Sequence, residues 1–160
     1  MFRVLSSPIP DKCALIFNAD DDSYKELMLS SNVHLVDVCN EKLVSPEDVP
    51  YYKRYDIVFC VSSENDYKVK FAECLYGMRF TKVDTGVMIM KVDTLDENYR
   101  TDIYHRLRTM FKFVNFHEPK YFIAVNLTYD EHQYDKLRKD FMKDYNDMSQ
   151  LEIRGVVGRR

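Results

Sequence analysis

The stretch Tyr55-Asp56-Ile57-Val58-Phe59-Cys60-Val61-Ser62-Ser63-Glu64-Asn65-Asp66 constrains the fold more than any other. From Ile57 to Ser62 the residues are β-branched, aromatic or small, and polar and apolar positions do not alternate. Such a run suits a strand covered on both faces, as in a parallel sheet flanked by helices. Ser63, followed three residues later by Asp66, has the capping-box pattern, which predicts a helix where the strand stops. Strand, cap and helix form a unit that recurs along the chain.

Residues 1–12 hold Pro8 and Pro10 and no periodic pattern, and read as an extended arm. Residues 13–18 form a short apolar strand, followed by Asp20, Asp21 and Asp22 and by a second capping box, Ser23-Tyr24-Lys25-Glu26. Tyr24, Leu27 and Met28 then share one helical face, and residues 33–38 form the next strand. Residues 40–54, with Pro46 and Pro50, read as a long connection with at most one helical turn. After the central strand, Tyr67, Phe71, Cys74, Leu75 and Met78 make the buried stripe of a helix. Residues 86–92 are a fourth strand. Thr94-Leu95-Asp96-Glu97 opens the longest helix, with Ile103, Leu107, Met110, Phe111 and Val114 as its stripe. Residues 121–127 are a fifth strand. Thr128-Tyr129-Asp130-Glu131 opens a last helix lined by Tyr134, Leu137, Phe141, Tyr145 and Met148. Residues 149–160 lose the pattern and read as a tail behind a domain of residues 13–148. The expectation is an α/β fold: a doubly wound, mainly parallel five-stranded sheet in the order 2-1-3-4-5, with right-handed crossovers and helices on both faces.

Such sheets bind ligands at the carboxyl ends of their strands, so the chemistry is sought there. The glycines are Gly77, Gly86, Gly155 and Gly158, and none follows the first strand, where a phosphate loop needs them. That turn carries Asp20 to Asp22 instead, and carboxylates at a helix N-terminus repel phosphate. A phosphoreceiver would need an acceptor Asp after the middle strand and a Lys after the last. Cys60-Val61-Ser62-Ser63 and Val125-Asn126-Leu127-Thr128 stand there instead. His34 falls within a strand, His105 and His132 on outward helix faces, and His117 in a loop beside Glu118, so none has a catalytic setting. Lys136, Lys139 and Lys143 are interrupted by Asp135, Asp140 and Asp144, the pattern of a solvated helix face. The cluster Tyr51-Tyr52-Lys53-Arg54-Tyr55 suits partner contact and loop packing equally.

A net charge of -3 gives no global basic field for nucleic acid. Cys13, Cys39, Cys60 and Cys74 are too widely spaced for a zinc motif and lie in apolar surroundings, so free buried thiols are expected. Apolar runs reach about six residues, against the ~20 of a membrane helix, so a soluble, intracellular protein is expected.

Several stretches resemble small GTPases. Leu35-Val36-Asp37-Val38-Cys39-Asn40 resembles the strand that ends in the switch II Asp-x-x-Gly, with Asn40 for the glycine. Ile57-Val58-Phe59-Cys60-Val61 resembles the strand that follows it. Met90-Lys91-Val92-Asp93 resembles the guanine-reading Asn-Lys-x-Asp without its Asn, and Val125-Asn126-Leu127 stands where Ser-Ala-Lys would be. With only Ser30-Ser31-Asn32 between the first helix and Val33, switch I is missing as well as the P-loop. Over about residues 13–148 the chain is similar to the centromere protein M family, the small pseudo-GTPases of the inner kinetochore. That resemblance implies a non-enzymatic nuclear subunit at the centromere. It would bind centromere protein I alongside centromere proteins H and K, with no cofactor, membrane or direct nucleic-acid contact.

Residues that no core stripe claims suggest where a partner would sit. These are Arg79 and Phe80, expected in a helix-to-strand loop, Phe113 and Phe116, expected at the end of the long helix, and Ile153, Val156 and Val157 in the tail. Exposed Phe with Arg is the composition of an interface centre. Packing against neighbouring elements accounts equally well for Phe113 and Phe116. The alternative function is a small phosphate- or metal-handling enzyme using Asp20 to Asp22 as ligands.

Overall fold

A computed structural model describes residues 13–17, 41–43, 54–61, 66–118, 120–144 and 153–159. The expected arm, the Asp20–Asp22 turn, the first helix and the strand at 33–38 lie outside them. The described chain runs β1 (Cys13–Phe17), β2 (Glu41–Leu43), β3 (Ile57–Cys60), α1 (Tyr67–Phe80), β4 (Val87–Lys91), α2 (Glu97–Arg108), β5 (Phe111–His117), β6 (Tyr121–Leu127), α3 (Glu131–Asp144) and β7 (Ile153–Arg159). The fold is α/β. One sheet carries the strands in the order β2-β7-β1-β3-β4-β6-β5.

The sheet is mixed rather than mainly parallel. β1, β3 and β4 form a parallel centre, with Ala14 opposite Ile57 and Ile57 opposite Val87. β6 lies antiparallel to β4, with Ile89 opposite Ile123, and β5 lies antiparallel to β6. β5 therefore runs in the direction of β4, one strand beyond it, and β6 fills the gap between them. On the other side β7 lies antiparallel to β1, and β2 antiparallel to β7. Two expectations are corrected here. Residues 153–159 are no tail but a strand inside the sheet, between β1 and β2. Residues 41–43 are a short strand within the stretch expected to be a connection.

The central strand behaves as its composition requires. Ile57 to Cys60 are all buried, and successive residues feed opposite faces. Val58 and Cys60 join a core with α1, α2 and α3, while Ile57, Phe59 and Val61 join Ala14, Ile16, Ile89 and Ile123 on the other face. All three described helices pack on the first of these faces. α1 is its centre. Beyond the expected stripe, every residue from Lys70 to Phe80 is buried, so this helix touches neighbours all round rather than along one stripe.

The helix caps fall two or three residues beyond the hydroxyls of the capping boxes. Asp66 is the N-cap of α1 and accepts from the Lys68 N–H at 2.9 Å. Asp96 caps α2 by accepting from the Tyr99 N–H at 3.0 Å, and Asp130 accepts from the His132 N–H at 2.8 Å at the start of α3. In each described turn an aspartate acts as the cap itself, a role for which Asp is among the best residues.

The long helix is shorter than expected. It stops at Thr109, whose hydroxyl and N–H both donate to Arg106 O, and Thr128 N–H then ties Met110 O to the end of β6. Met110, Phe111 and Val114 are buried as the stripe requires, but in and before a strand. The reason lies in Asn126, which has φ 58°. Along β6, Ala124 points to the helix-side core and Val125 to the other, and alternation would turn Leu127 to the second face. The left-handed residue reverses the sense, so Leu127 joins the helix-side core together with Phe111 opposite it. Phe111 and Val114 thus share a core at a spacing of three, which imitates a helix.

Candidate functional site

The seven residues that sequence reasoning singled out fall into three different settings. Arg79 and Phe80 are not in a loop. They form the last turn of α1, which closes at Thr81, where the hydroxyl and N–H both donate to Gly77 O at 2.6 and 3.0 Å. The Arg54 guanidinium seals the same end by donating to Met78 O and Thr81 O at 3.1 and 2.7 Å. Both residues are buried. Phe80 stacks near Tyr76 and Tyr55, and the Arg79 guanidinium lies 4.5 Å from the centre of the Tyr134 ring, with Glu131 at 3.7 Å. Arg79 links α1 to α3, and Phe80 packs within α1 and against Tyr55. Ile153, Val156 and Val157 belong to β7, where Ile153 pairs with Leu43, Val156 with Ile16 and Val157 with Leu15.

Phe113 and Phe116 are exposed, at 46% and 39%, on β5 at the edge of the sheet. Phe116 packs edge-on against Phe122 at 5.4 Å, and the Arg100 guanidinium lies 5.7 Å from its ring centre. Phe122 in turn meets Tyr104 of α2 at 5.9 Å. Between α2 and β5 these rings floor an open cleft of about 400 Å³, rimmed by Glu97, Thr101 and Glu118. Phe113 leans on its own neighbour, with Lys112 Nζ 5.4 Å from the ring centre. The arrangement offers aromatic faces, two carboxylates and a guanidinium within one cleft, which suits recognition of a mixed apolar and charged surface. Sequence reasoning missed Arg100 and Tyr104, which only the α2–β5 crossover brings beside Phe116, and Glu118, which follows Phe116 in the chain.

The usual ligand end of the sheet is built differently. Beyond β4, Lys91 Nζ meets Asp93 Oδ1 at 4.0 Å. Behind the end of β3, Lys70 and Glu73 of α1 form a fully buried ion pair at 3.2 Å, and the Cys60 thiol donates to Glu73 O at 3.5 Å. Burial drives the Cys60 thiol well above its usual pKa, with Glu73 adding to the effect and Lys70 opposing it. Burial likewise pushes Cys74 up to about 12, against the lowering influence of Arg106. Both thiols are free and in the protonated, unreactive form at neutral pH. Val125-Asn126-Leu127 does not stand beside Met90-Lys91-Val92-Asp93: because β6 is antiparallel to β4, Val125 pairs with Val87 and Tyr121 with Lys91, which puts the two stretches at opposite ends of the sheet.

Among the described residues, no three His, Cys, Asp or Glu side chains gather where a metal ion would sit. His105 and His132 are exposed and His117 is half-buried in β5. On α3, Asp135 meets Arg138 at 2.7 Å and Lys139 at 3.1 Å, and these two partners hold its carboxyl below the usual range. No described helix is long and apolar enough to cross a membrane. No protein-family model, curated protein or solved structure matches this chain.

Proposed function

We propose that this chain is a non-catalytic protein-interaction subunit whose binding surface is the aromatic cleft between α2 and β5. The carrying observation is the pair of exposed phenylalanines on an edge strand, Phe116 beside a guanidinium-bearing cleft. Large side chains at such exposure, grouped on one edge, are the composition of an interface anchor. For the assembly, the resemblance to the pseudo-GTPases of the inner kinetochore is the guide. It names centromere protein I, with centromere proteins H and K, as partners, the nucleus as the compartment, and a doubly wound domain without nucleotide chemistry.

The test is capture of a co-expressed complex of centromere proteins I, H and K by the purified chain. Phe116→Ala is expected to weaken capture roughly tenfold or more, as loss of an interface anchor does. Its melting temperature should stay near that of the unaltered chain, because the side chain is only partly packed. No capture by the unaltered chain removes the kinetochore assignment, and full capture by Phe116→Ala removes the cleft. Calorimetric titration with magnesium and GTP, GDP or ATP is expected to give no binding heat. Micromolar binding would favour the metal- or phosphate-handling enzyme instead.

A further inference from the structure

We propose that the open edge of β5 pairs antiparallel with β5 of a second copy of this chain, on a two-fold axis through Asn115. β5 is the last strand of the sheet, so among the described residues one of its sides has no strand beside it. Its hydrogen-bonding phase follows from the strand beside it. Val92 N–H donates to Lys120 O at 2.7 Å, so Lys91 and Tyr121 are a non-bonded pair and Tyr121 turns its backbone groups toward β5. Alternation along the continuous ladder from Phe113 to His117 then engages Phe113, Asn115 and His117 with β6 and directs the backbone groups of Val114 and Phe116 to the open side.

That phase allows only registers in which even-numbered residues meet even-numbered ones, and charge selects among them. With the axis on Asn115, Asn115 faces itself and Phe113 faces His117 of the partner subunit. The exposed Lys112 then faces Glu118 of the partner subunit, and symmetry repeats the pair at the other end. Phe116 gains an apolar neighbour in Val114 of the partner subunit. Moving the axis one residue back, to Val114, sets Lys112 against Phe116 of the partner subunit. Moving it one residue forward, to Phe116, sets Lys112 against Lys120 of the partner subunit, a like-charge contact. The sequence Lys112-Phe113-Val114-Asn115-Phe116-His117-Glu118 is therefore self-complementary in one register, with opposite charges at its ends and exposed aromatics between. The pairing uses the strand edge, and it holds whether or not the α2–β5 cleft receives a further subunit.

Sedimentation velocity over a micromolar to submillimolar range tests it on the whole chain. The unaltered chain is expected to show a concentration-dependent dimer. Lys112→Glu and Glu118→Lys each turn two attractive contacts into two repulsive ones, and each alone is expected to loosen the dimer by roughly tenfold or more. An equimolar mixture of the two variants restores both opposite-charge contacts, so it should form a heterodimer as tight as the original. Both positions are exposed, and circular dichroism matching the unaltered chain confirms that the variants fold. A chain that stays monomeric throughout, or single variants that dimerise as well as the original, or a mixture that fails to re-form the dimer, overturns the proposal.

Discussion

Asn126 controls more of this molecule than its size suggests. At φ 58° it occupies the left-handed region, which Asn tolerates and a β-branched residue does not. Its turn sends Leu127 to the helix-side core and sets the pairing with Phe111. Asn126→Gly is expected to leave stability nearly unchanged. Asn126→Val should cost ~1–3 kcal/mol through backbone strain, seen as a lower urea midpoint at unchanged slope. Equal midpoints for the two variants would show that Asn126 does not need the left-handed form. The buried pair of Lys70 and Glu73 is a different kind of residue-scale commitment. An ion pair wholly out of water gives less net stability than its short distance suggests, and is far more sensitive to losing one partner than to losing both.

At the scale of elements, the helices are opened by aspartates. Asp96 is exposed and bonds the Tyr99 N–H, so Asp96→Ala removes a cap without disturbing the core. Thermal or urea unfolding should show a loss of about 1 kcal/mol, within the 0.5–2 kcal/mol that N-cap removal gives. No loss would assign the cap to another residue. The strand–cap–helix unit was legible because both of its halves are local: a short apolar run and a carboxylate near the first helical turn. The strand at 121–127 and the buried residues of α3 were read from composition and period alone, and they occupy those positions. β5 was not legible as a strand. Its buried residues recur at a helical spacing only because a left-handed residue on the neighbouring strand shifts the faces, and that influence crosses the sheet rather than running along the sequence. Strand direction was hidden for the same reason. Nothing local to 121–127 distinguishes a strand entered by hairpin from one entered by crossover. Of the candidate surface, Phe113 and Phe116 were visible as apolar residues outside a need for them. Arg79 and Phe80 misled, because α1 runs to Thr81 and is buried on every side.

Across the whole molecule, a parallel centre of three strands is extended on both sides by antiparallel ones, and the last of the described strands does not lie at an edge. β7 occupies the position next to β1, paired from Cys13–Arg159 to Phe17–Gly155, and also holds β2. A proline at Val156 would remove a backbone donor from the ladder between β7 and Ile16 of β1. Val156→Pro is therefore expected to lower the melting temperature by roughly 4–8 °C, the shift that a loss of ~2 kcal/mol gives in a domain of this size. An unchanged melting temperature would show that residues 153–159 contribute nothing to the sheet. The position of β7 also bears on how the protein is made. β1 leaves the ribosome first among these strands, and β3 and β4 can join it while translation continues. Its other neighbour emerges only with the last of these residues, so until then one side of β1 lacks its strand and β2 has no strand to pair with. A nascent chain of this protein must carry that half-finished sheet until residues 153–159 have emerged, the stage at which a holding chaperone would have an extended apolar edge to bind.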